Sequence, residues 1–209
     1  MENWFRLSRH AARVRTTMSS TEPRPQRADA RRNRERIVDA ARELFAECGH
    51  GTQMDDVARR AQVGVGTVYR HFPTKGALIG ELLATKFRHH AEIARKWAAL
   101  DDGWEALEGF LRETFCSIAQ DATLQQRVSW VDDSEVLAIA EAERRVVTGV
   151  LDEIIRRAQA QGTVRDDFSV DDIPAVMCAV GAVMAAQSRM PMHADRFVQL
   201  ILDGLRAPA

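Results

Sequence analysis

The sequence predicts an all-α protein in which a small N-terminal three-helix unit precedes a larger helical domain. Apolar residues recur at intervals of three and four along most of the chain, the spacing that places them on one face of an α-helix. No long segment alternates strictly between apolar and polar residues, as a half-buried strand does. Between Gly49 and Leu78, two short amphipathic segments follow each other with only three residues between them. With 209 residues, 45% of them hydrophobic, the chain is long enough to bury a sizeable core.

The first part of the chain is basic. Residues 1–76 contain 15 Lys and Arg against 9 Asp and Glu, a net charge of +6, whereas residues 77–209 carry a net charge of −7. The composition of residues 1–30 predicts a disordered basic arm, because Ser, Thr, Pro and scattered Arg supply no apolar core. Translation from Met18 is an alternative interpretation of this region. The asymmetry favours a protein whose N-terminal end faces nucleic-acid phosphates.

The first helix is predicted from Arg32 to Glu47, and Gly49 ends it. Its apolar stripe contains Ile37, Ala41, Leu44 and Phe45. Arg34, near its start, is placed to reach a phosphate.

The two short segments predict a helix-turn-helix. Met54, Val57, Ala58 and Ala61 share one face of the first segment, and Val65, Val68 and Phe72 share one face of the second. Residues 62–64 leave room for a tight turn. Thr52 and Asp55 have the spacing of a capping box at the start of the first segment.

The other face of the second segment is suited to the major groove of DNA. It presents Gly64, Gly66, Thr67, Tyr69, Arg70 and His71, with no acidic residue and with small residues at its beginning. We therefore interpret it as a DNA-reading helix.

The string VGVGTVYRHFPTK, residues 63–75, resembles the recognition-helix signature of TetR-type transcriptional regulators, and the resemblance extends from about Arg34 to about Leu83. Two positions depart from the family pattern. Gln53 stands where Ser or Thr is usual, and Gln62 stands where the turn usually has Gly. A left-handed backbone at Gln62 would cost about 1 kcal/mol relative to Gly.

The resemblance implies operator contacts on and near this helix. Tyr69, His71 and Lys75 correspond to phosphate contacts, and Val65, Gly66 and Arg70 to base-edge contacts, with guanine as the expected partner of Arg70. Tyr69 in the core, or His71 as a helix cap, are the alternatives. The predicted DNA-binding residues are Arg34, Thr52, Val65, Gly66, Thr67, Tyr69, Arg70, His71 and Lys75.

The rest of the chain predicts further helices. Thr74 is the expected N-cap of a long helix that runs from Lys75 to about Ala98. Others are expected over 104–118, about 122–131, 136–160, 173–187 and 195–205. Ser169 and Asp172 predict a capping box just before the segment that begins at Ile173. We expect three regions: the arm at 1–30, the helix-turn-helix unit at 31–76, and a helical effector-binding and dimerisation domain at 77–209.

The segment 173–187 is apolar on nearly every side, so we expect it to be buried on every side. Paired with the last helix, it would form the four-helix dimer interface that the resemblance implies, and a purely intramolecular core is the alternative. The predicted interface residues are Val180, Gly181, Met184, Ala185, Phe197, Leu200 and Ile201. A homodimer on a palindromic operator would supply the affinity that one short recognition helix lacks.

The resemblance also implies a pocket for a small-molecule effector in the second half of the chain. Candidate lining residues are Trp97, Trp104, Phe110, Phe115, Arg127, Trp130 and Met177, although bulky residues at helical spacing are also typical of plain core. The expected function is a ligand-responsive transcriptional regulator, with repression the family's commoner mode. An activator and a non-specific architectural DNA-binding protein are the alternatives.

Other classes of site find little support. Cys48, Cys116 and Cys178 are far apart and fall on apparent apolar faces, so we expect buried free thiols. His89 and His90 point to different sides of a helix and have no partner ligand nearby, so no metal is expected. No nucleophile–base pair or phosphate-binding loop indicates an enzyme or a cofactor. The absence of a signal peptide or membrane-length apolar run predicts a cytoplasmic protein without a membrane partner.

Overall fold

The computed structural model describes residues 24–120, 134–186 and 194–208, and it confirms the all-α prediction. Within these segments there are eight α-helices, two short 3-10 turns and no strand beyond an isolated bridge between Val164 and Arg206. The helices are α1 (Arg24–Cys48), α2 (Met54–Arg60), α3 (Val65–His71), α4 (Lys75–Ala98), α5 (Gly103–Gln120), α6 (Ser134–Ala160), α7 (Ile173–Ala186) and α8 (Ala194–Leu205). The predicted helix near 122–131 and the first 23 residues, including Met18, lie outside the described residues.

The helix boundaries follow local capping signals closely at α4 and less closely at α1. The Thr74 side-chain oxygen accepts a hydrogen bond from the Ala77 backbone N–H at 2.9 Å, and α4 begins at Lys75 as predicted. In contrast, α1 begins at Arg24 rather than Arg32, so the prediction of disorder is wrong for residues 24–30. Ala28, Ala30, Arg31 and Arg32 are good helix formers, so α1 can extend before its apolar stripe.

One apolar cluster holds the N-terminal unit together. Side chains from α1, α2 and α3 meet there, with Phe45, Val57 and Val68 almost completely buried. The first turns of α4 contribute Leu78, and the beginning of α6 contributes Val136. The N-terminal unit is therefore anchored on two helices of the following domain.

A second cluster fills the C-terminal domain. The later turns of α4 join α5, α6, α7 and α8 around buried residues such as Phe110, Leu111, Ile154 and Leu202. Both α4 and α6 supply residues to both clusters, so each of these helices runs from one core into the other, and α4 contributes most of its length to them.

One side of α7 is exposed in the single chain. Ala175, Ala179 and Ala182 lie on that side, so the alternative of a purely intramolecular core is wrong for this helix, and its burial on every side stays a prediction for the dimer. The prediction of buried thiols is also wrong, since Cys48, Cys116 and Cys178 are all exposed. Phe45, Phe115 and Met177, which are apolar and larger than cysteine, are buried in their place.

Among the described residues, none of the helices combines the length and the apolar character that a membrane span needs.

A buried histidine on α4 makes stability depend on pH. Burial, reinforced by the charges of Lys86 and His89, lowers the pKa of His90 to about 3. Below about pH 6.5 the unfolded chain binds a proton at this residue, whereas the folded chain does not until about pH 3. His90 should therefore remove up to about 1.4 kcal/mol of stability for each pH unit as the pH falls through this window.

We expect His90→Gln to flatten the loss of unfolding free energy between pH 6.5 and 4, measured by urea denaturation. His89→Gln, which removes the exposed neighbouring imidazole, is the matched control and should change the slope far less than His90→Gln, because the His89 charge only reinforces the effect of burial. Equal slopes for wild type and His90→Gln would contradict the prediction.

Candidate nucleic-acid interface

The turn between α2 and α3 is a Schellman motif built on Gln62. The φ angle of Gln62 is 54°, so the backbone is left-handed there and the cost of about 1 kcal/mol relative to glycine applies. Its N–H donates to the Arg59 carbonyl at 3.2 Å, and the Val63 N–H donates to the Ala58 carbonyl at 3.0 Å. Arg36 on α1 donates a further hydrogen bond to the Gln62 carbonyl at 3.3 Å. The turn is thus fixed both from within and by α1.

Thr52 stabilises the junction between α1 and α2 and does not face DNA. It is only 2% exposed, and its hydroxyl lies 2.9 Å from the Gly49 carbonyl and 3.1 Å from the Leu44 carbonyl. The residue at the N-cap of α2 is Gln53, which makes no side-chain capping bond. Both the capping box and the DNA contact predicted at Thr52 are therefore wrong, because its hydroxyl is already hydrogen-bonded inside the protein.

Arg34 is also engaged within the protein. Its Nη2 lies 2.6 Å from Glu81 Oε2 and its Nη1 donates to Glu81 Oε1 at 3.0 Å, so α1 and α4 are joined by a bidentate pair. The same guanidinium lies 5.1 Å from the centre of the Phe72 ring at the end of α3. Arg34 therefore joins α1 to α4, while 43% of its side chain stays exposed, and its contact with a phosphate stays a prediction.

Glu81 also accepts a hydrogen bond from an arginine of its own helix. Arg88 Nη2 lies 2.8 Å from Glu81 Oε1, and its Nη1 lies 3.9 Å from Glu143 on α6. Burial raises the pKa of Glu81, but the hydrogen bonds from Arg34 and Arg88 outweigh it and hold the pKa below its usual range. The carboxylate is therefore charged at neutral pH and connects α1, α4 and α6. Sequence patterns gave no signal for this cluster, because its members are widely separated along the chain.

The outer face of α3 is unoccupied by other parts of the described chain. Val65 and Tyr69 are 41% and 45% exposed, which excludes a core position for Tyr69, whereas Val68 on the inner face is fully buried. Gly66 and Arg70 are exposed on the same outer side. The helix carries no acidic residue. Its exposed surface is therefore apolar at the beginning and basic near the end.

Arg70 differs from the other arginines of this unit. Among the side chains described between residues 28 and 78, the arginines of α1 and α2 each bond to a carboxylate or a carbonyl. No ion pair or hydrogen bond joins the Arg70 guanidinium to any described residue. A free guanidinium on the outer face of α3 is suited to bidentate contact with guanine.

The remaining predicted contacts lie beside this face. Thr67 and His71 are half-buried on α3, and the Nε2 atom of His71 is buried without a partner among the described atoms. Burial, with the charges of Arg70 and Arg34, lowers the pKa of His71, so the ring is neutral at neutral pH. Lys75 is half-buried, with Nζ 5.7 Å from the centre of the Phe45 ring.

The predicted effector-pocket residues mostly form packed core. Trp104, Phe110, Phe115 and Met177 are buried in the second cluster. Trp97 is half-buried and donates its indole N–H to Glu113 at 2.8 Å. Arg127 and Trp130 lie outside the described residues.

Thr114 is a polar residue of this core that the sequence interpretation missed. It occupies a position on the apolar stripe of α5 between Leu111 and Phe115. The residue is fully buried, and its hydroxyl has no hydrogen-bond partner in the part of the chain that is described. A buried hydroxyl without a partner costs about 1–3 kcal/mol, so it marks a place where a polar ligand atom would be stabilising.

The predicted dimer residues divide between the core and the surface. Val180 and Gly181 are both buried within their own chain, so neither is available for the predicted interface; Val180 packs in the core cluster. Met184, Phe197 and Ile201 are partly buried against the same cluster, and the side chain of Ala185 lies outside the description. Leu200 is 46% exposed. The exposed face of α7 instead consists of Ala175, Cys178, Ala179 and Ala182.

Comparisons with known proteins agree on one class. A family model described as bacterial regulatory proteins of the tetR family matches residues 37–82, and one described as the SbtR-like transcriptional regulator C-terminal domain matches residues 102–207. A TetR transcription regulatory protein from Mycobacterium vanbaalenii is 38% identical, over 88% of this chain and 100% of that chain, with a TM-score of 0.58.

Two further relatives extend the comparison. The transcriptional repressor KstR from Mycolicibacterium smegmatis is 30% identical over 141 residues, covering 66% of this chain and 68% of KstR. The regulator FadR from Bacillus subtilis, solved in complex with stearoyl-CoA, is 20% identical and shares the fold with a TM-score of 0.65, over 81% of this chain and 95% of that chain.

The pair between Arg34 and Glu81 should contribute measurably to stability. We expect Glu81→Gln to lower the free energy of unfolding by about 1–2 kcal/mol, the value of a charged hydrogen bond reduced for the half-exposed arginine. In a double-mutant cycle that combines Glu81→Gln with Arg34→Met, the interaction free energy between the two residues should exceed about 0.5 kcal/mol. The exposed pair Arg144 and Glu141 provides the control cycle, with a smaller coupling. Equal couplings in the two cycles would contradict the prediction.

Proposed function

This chain belongs to the TetR family of bacterial transcriptional regulators, and on that premise we propose that it is a ligand-responsive, sequence-specific repressor. In this proposal a homodimer binds a palindromic operator in the cytoplasm, and a small-molecule effector releases it. The observation that carries the proposal is the outer face of α3, which has no acidic residue and presents an arginine that bonds to none of the described residues.

The contacts with DNA follow from the position of each side chain around α3. Arg70 reads a guanine in the major groove, where O6 and N7 accept the two N–H groups of a guanidinium. Tyr69, which is 45% exposed, contacts a phosphate, as do His71 at the end of α3 and Lys75 at the start of α4. Thr67, at the edge of the outer face, adds a further operator contact.

Dimerisation is supported by the exposed face of α7. Ala175, Ala179 and Ala182 are spaced as one helical face and leave no bulky side chain between this helix and a partner. Leu200 on α8 adds an exposed apolar side chain. A two-fold axis through this surface would pair two copies of α7 and α8 and place two recognition helices on one operator.

Release by an effector is supported by the continuity between the two cores. An effector bound in the C-terminal cluster, with Thr114 as a polar contact, would displace the later turns of α4. Because the first turns of α4 belong to the N-terminal cluster, the spacing of the two recognition helices would change. The similarity to KstR, a repressor, favours repression over activation.

Selection of tight binders from a random duplex pool, with the full-length protein, tests the function. Enrichment of an inverted repeat is the expected result. Binding that depends strongly on salt without enrichment of any sequence would favour an architectural DNA-binding protein instead. Transcription from a promoter carrying the selected operator distinguishes a repressor from an activator.

Arg70→Ala should weaken binding to the selected operator by about 1–3 kcal/mol and relax the preference at one base pair of each half-site, because a bidentate contact to guanine is lost. The measurement is affinity across a panel of single-base operator variants. Arg59→Ala is the control, since Arg59 is exposed on α2 but paired with Asp56 at 3.1 Å. Uniform weakening on every variant would show that Arg70 contacts a phosphate.

Ala182→Glu should convert the dimer to a monomer. Two symmetry-related carboxylates would be buried at the interface, and each costs several kcal/mol, so the dimer dissociation constant should rise at least about a hundredfold. Analytical ultracentrifugation measures the change. Ala142→Glu, on an exposed position of α6, introduces the same charge and should leave the dimer intact. A dimeric Ala182→Glu protein would exclude this interface.

A further inference from the structure

The first turn of α3 has a sequence that its own fold does not require. Gly64 and Gly66 flank Val65, and glycine and valine are both weak helix formers. Neither glycine has a positive φ angle. A Cβ added at Gly66 would meet no atom within 4 Å, and one added at Gly64 would meet only the Thr67 Oγ1, at 3.9 Å. Alanine would fit at Gly66 and, inside the helix, would be favoured by about 0.5–1 kcal/mol, whereas Gly64 is the N-cap, where glycine is preferred to alanine.

Packing inside the protein likewise does not explain why residue 65 is a valine. It is 41% exposed and does not belong to the N-terminal cluster, whereas Val68 in the same helix is completely buried there. Tyr69 lies one turn further along the outer face and is also exposed. An apolar strip therefore runs along the side of α3 that carries Arg70, on a helix of only seven residues.

The chemistry of this strip selects its partner. Side chains of residues 64–66 offer no hydrogen-bond donor or acceptor, so they cannot read the polar pattern of a base edge. In the major groove the apolar feature that distinguishes one base is the 5-methyl group of thymine. The missing side chain at Gly66 leaves space for the helix to approach the groove closely enough for a valine methyl to touch it.

We infer that Val65 determines specificity for a thymine by contact with its 5-methyl group, and that Gly66 lacks a side chain so that α3 can approach this base. The inference rests on the proposed function and deepens it, because it names the base read by the first turn of α3. It concerns a contact separate from that of Arg70.

The test uses the operator obtained by selection, with each thymine replaced in turn by deoxyuridine. This replacement removes only the methyl group and keeps every hydrogen-bonding atom. At one thymine of each half-site, wild type should lose about fourfold in affinity, the effect of burying one methyl-sized group. Val65→Ala should bind the thymine operator more weakly than wild type and should show no further loss at that position. A deoxyuridine series with equal losses for wild type and Val65→Ala would overturn the inference.

Gly66→Ala tests the space beside Val65. Its helix content and thermal stability should equal or exceed those of wild type, while its operator affinity falls at least tenfold. Gly149→Ala is the matched control, because Gly149 is exposed in α6 and a Cβ added there would also meet no atom within 4 Å. Full operator affinity for Gly66→Ala would overturn the close approach.

The two proposals fail in different ways. If an inverted repeat is enriched while every deoxyuridine operator weakens wild type and Val65→Ala equally, the protein is a sequence-specific regulator and the thymine contact is wrong. If no sequence is enriched, the sequence-specific regulator is wrong, and the thymine contact is overturned with it.

Discussion

The arrangement of this protein depends on one constraint: α4 has to fit two cores at once. Its first turns complete the cluster around Phe45 and Val68, and its later turns complete the cluster around Phe110 and Leu111. Neither cluster can be repacked at α4 without a shift of the same rigid helix. The recognition helix, only seven residues long, has little stability of its own and takes its position from this framework.

Charge in the N-terminal unit is used mainly to hold the unit together. Arg34 joins α1 to α4, Arg36 fixes the turn at Gln62, and Arg60 bonds to two glutamates of α1. Partners within the protein orient these side chains, and Arg70 is left to face outward. The positive charge of the region therefore overstates the number of arginines available to read bases, although its field still attracts DNA as a whole.

The fold could be predicted from the sequence because helical periodicity and capping are local. The start of α4 after Thr74, the tight turn at residues 62–64 and the exposed face of α3 all follow from short stretches of residues. Periodicity identifies which residues share a face, but not which distant element covers that face. For that reason Val180 was assigned to an interface although it packs in the core, and the pairing of Arg34 with Glu81, 47 positions away, gave no signal.

The contact between Gly80 and Ile139 has a mechanical consequence. A Cβ at position 80 would lie 2.9 Å from the Ile139 side chain, so α4 and α6 touch without room for a methyl group between them. Rotation of α4 about its own axis would replace Gly80 at this contact by a residue with a side chain, which would clash with Ile139. The close contact therefore resists rotation of α4 against α6. Because α6 also places Val136 in the N-terminal cluster, a rearrangement of either helix would be felt by the residues that hold α3.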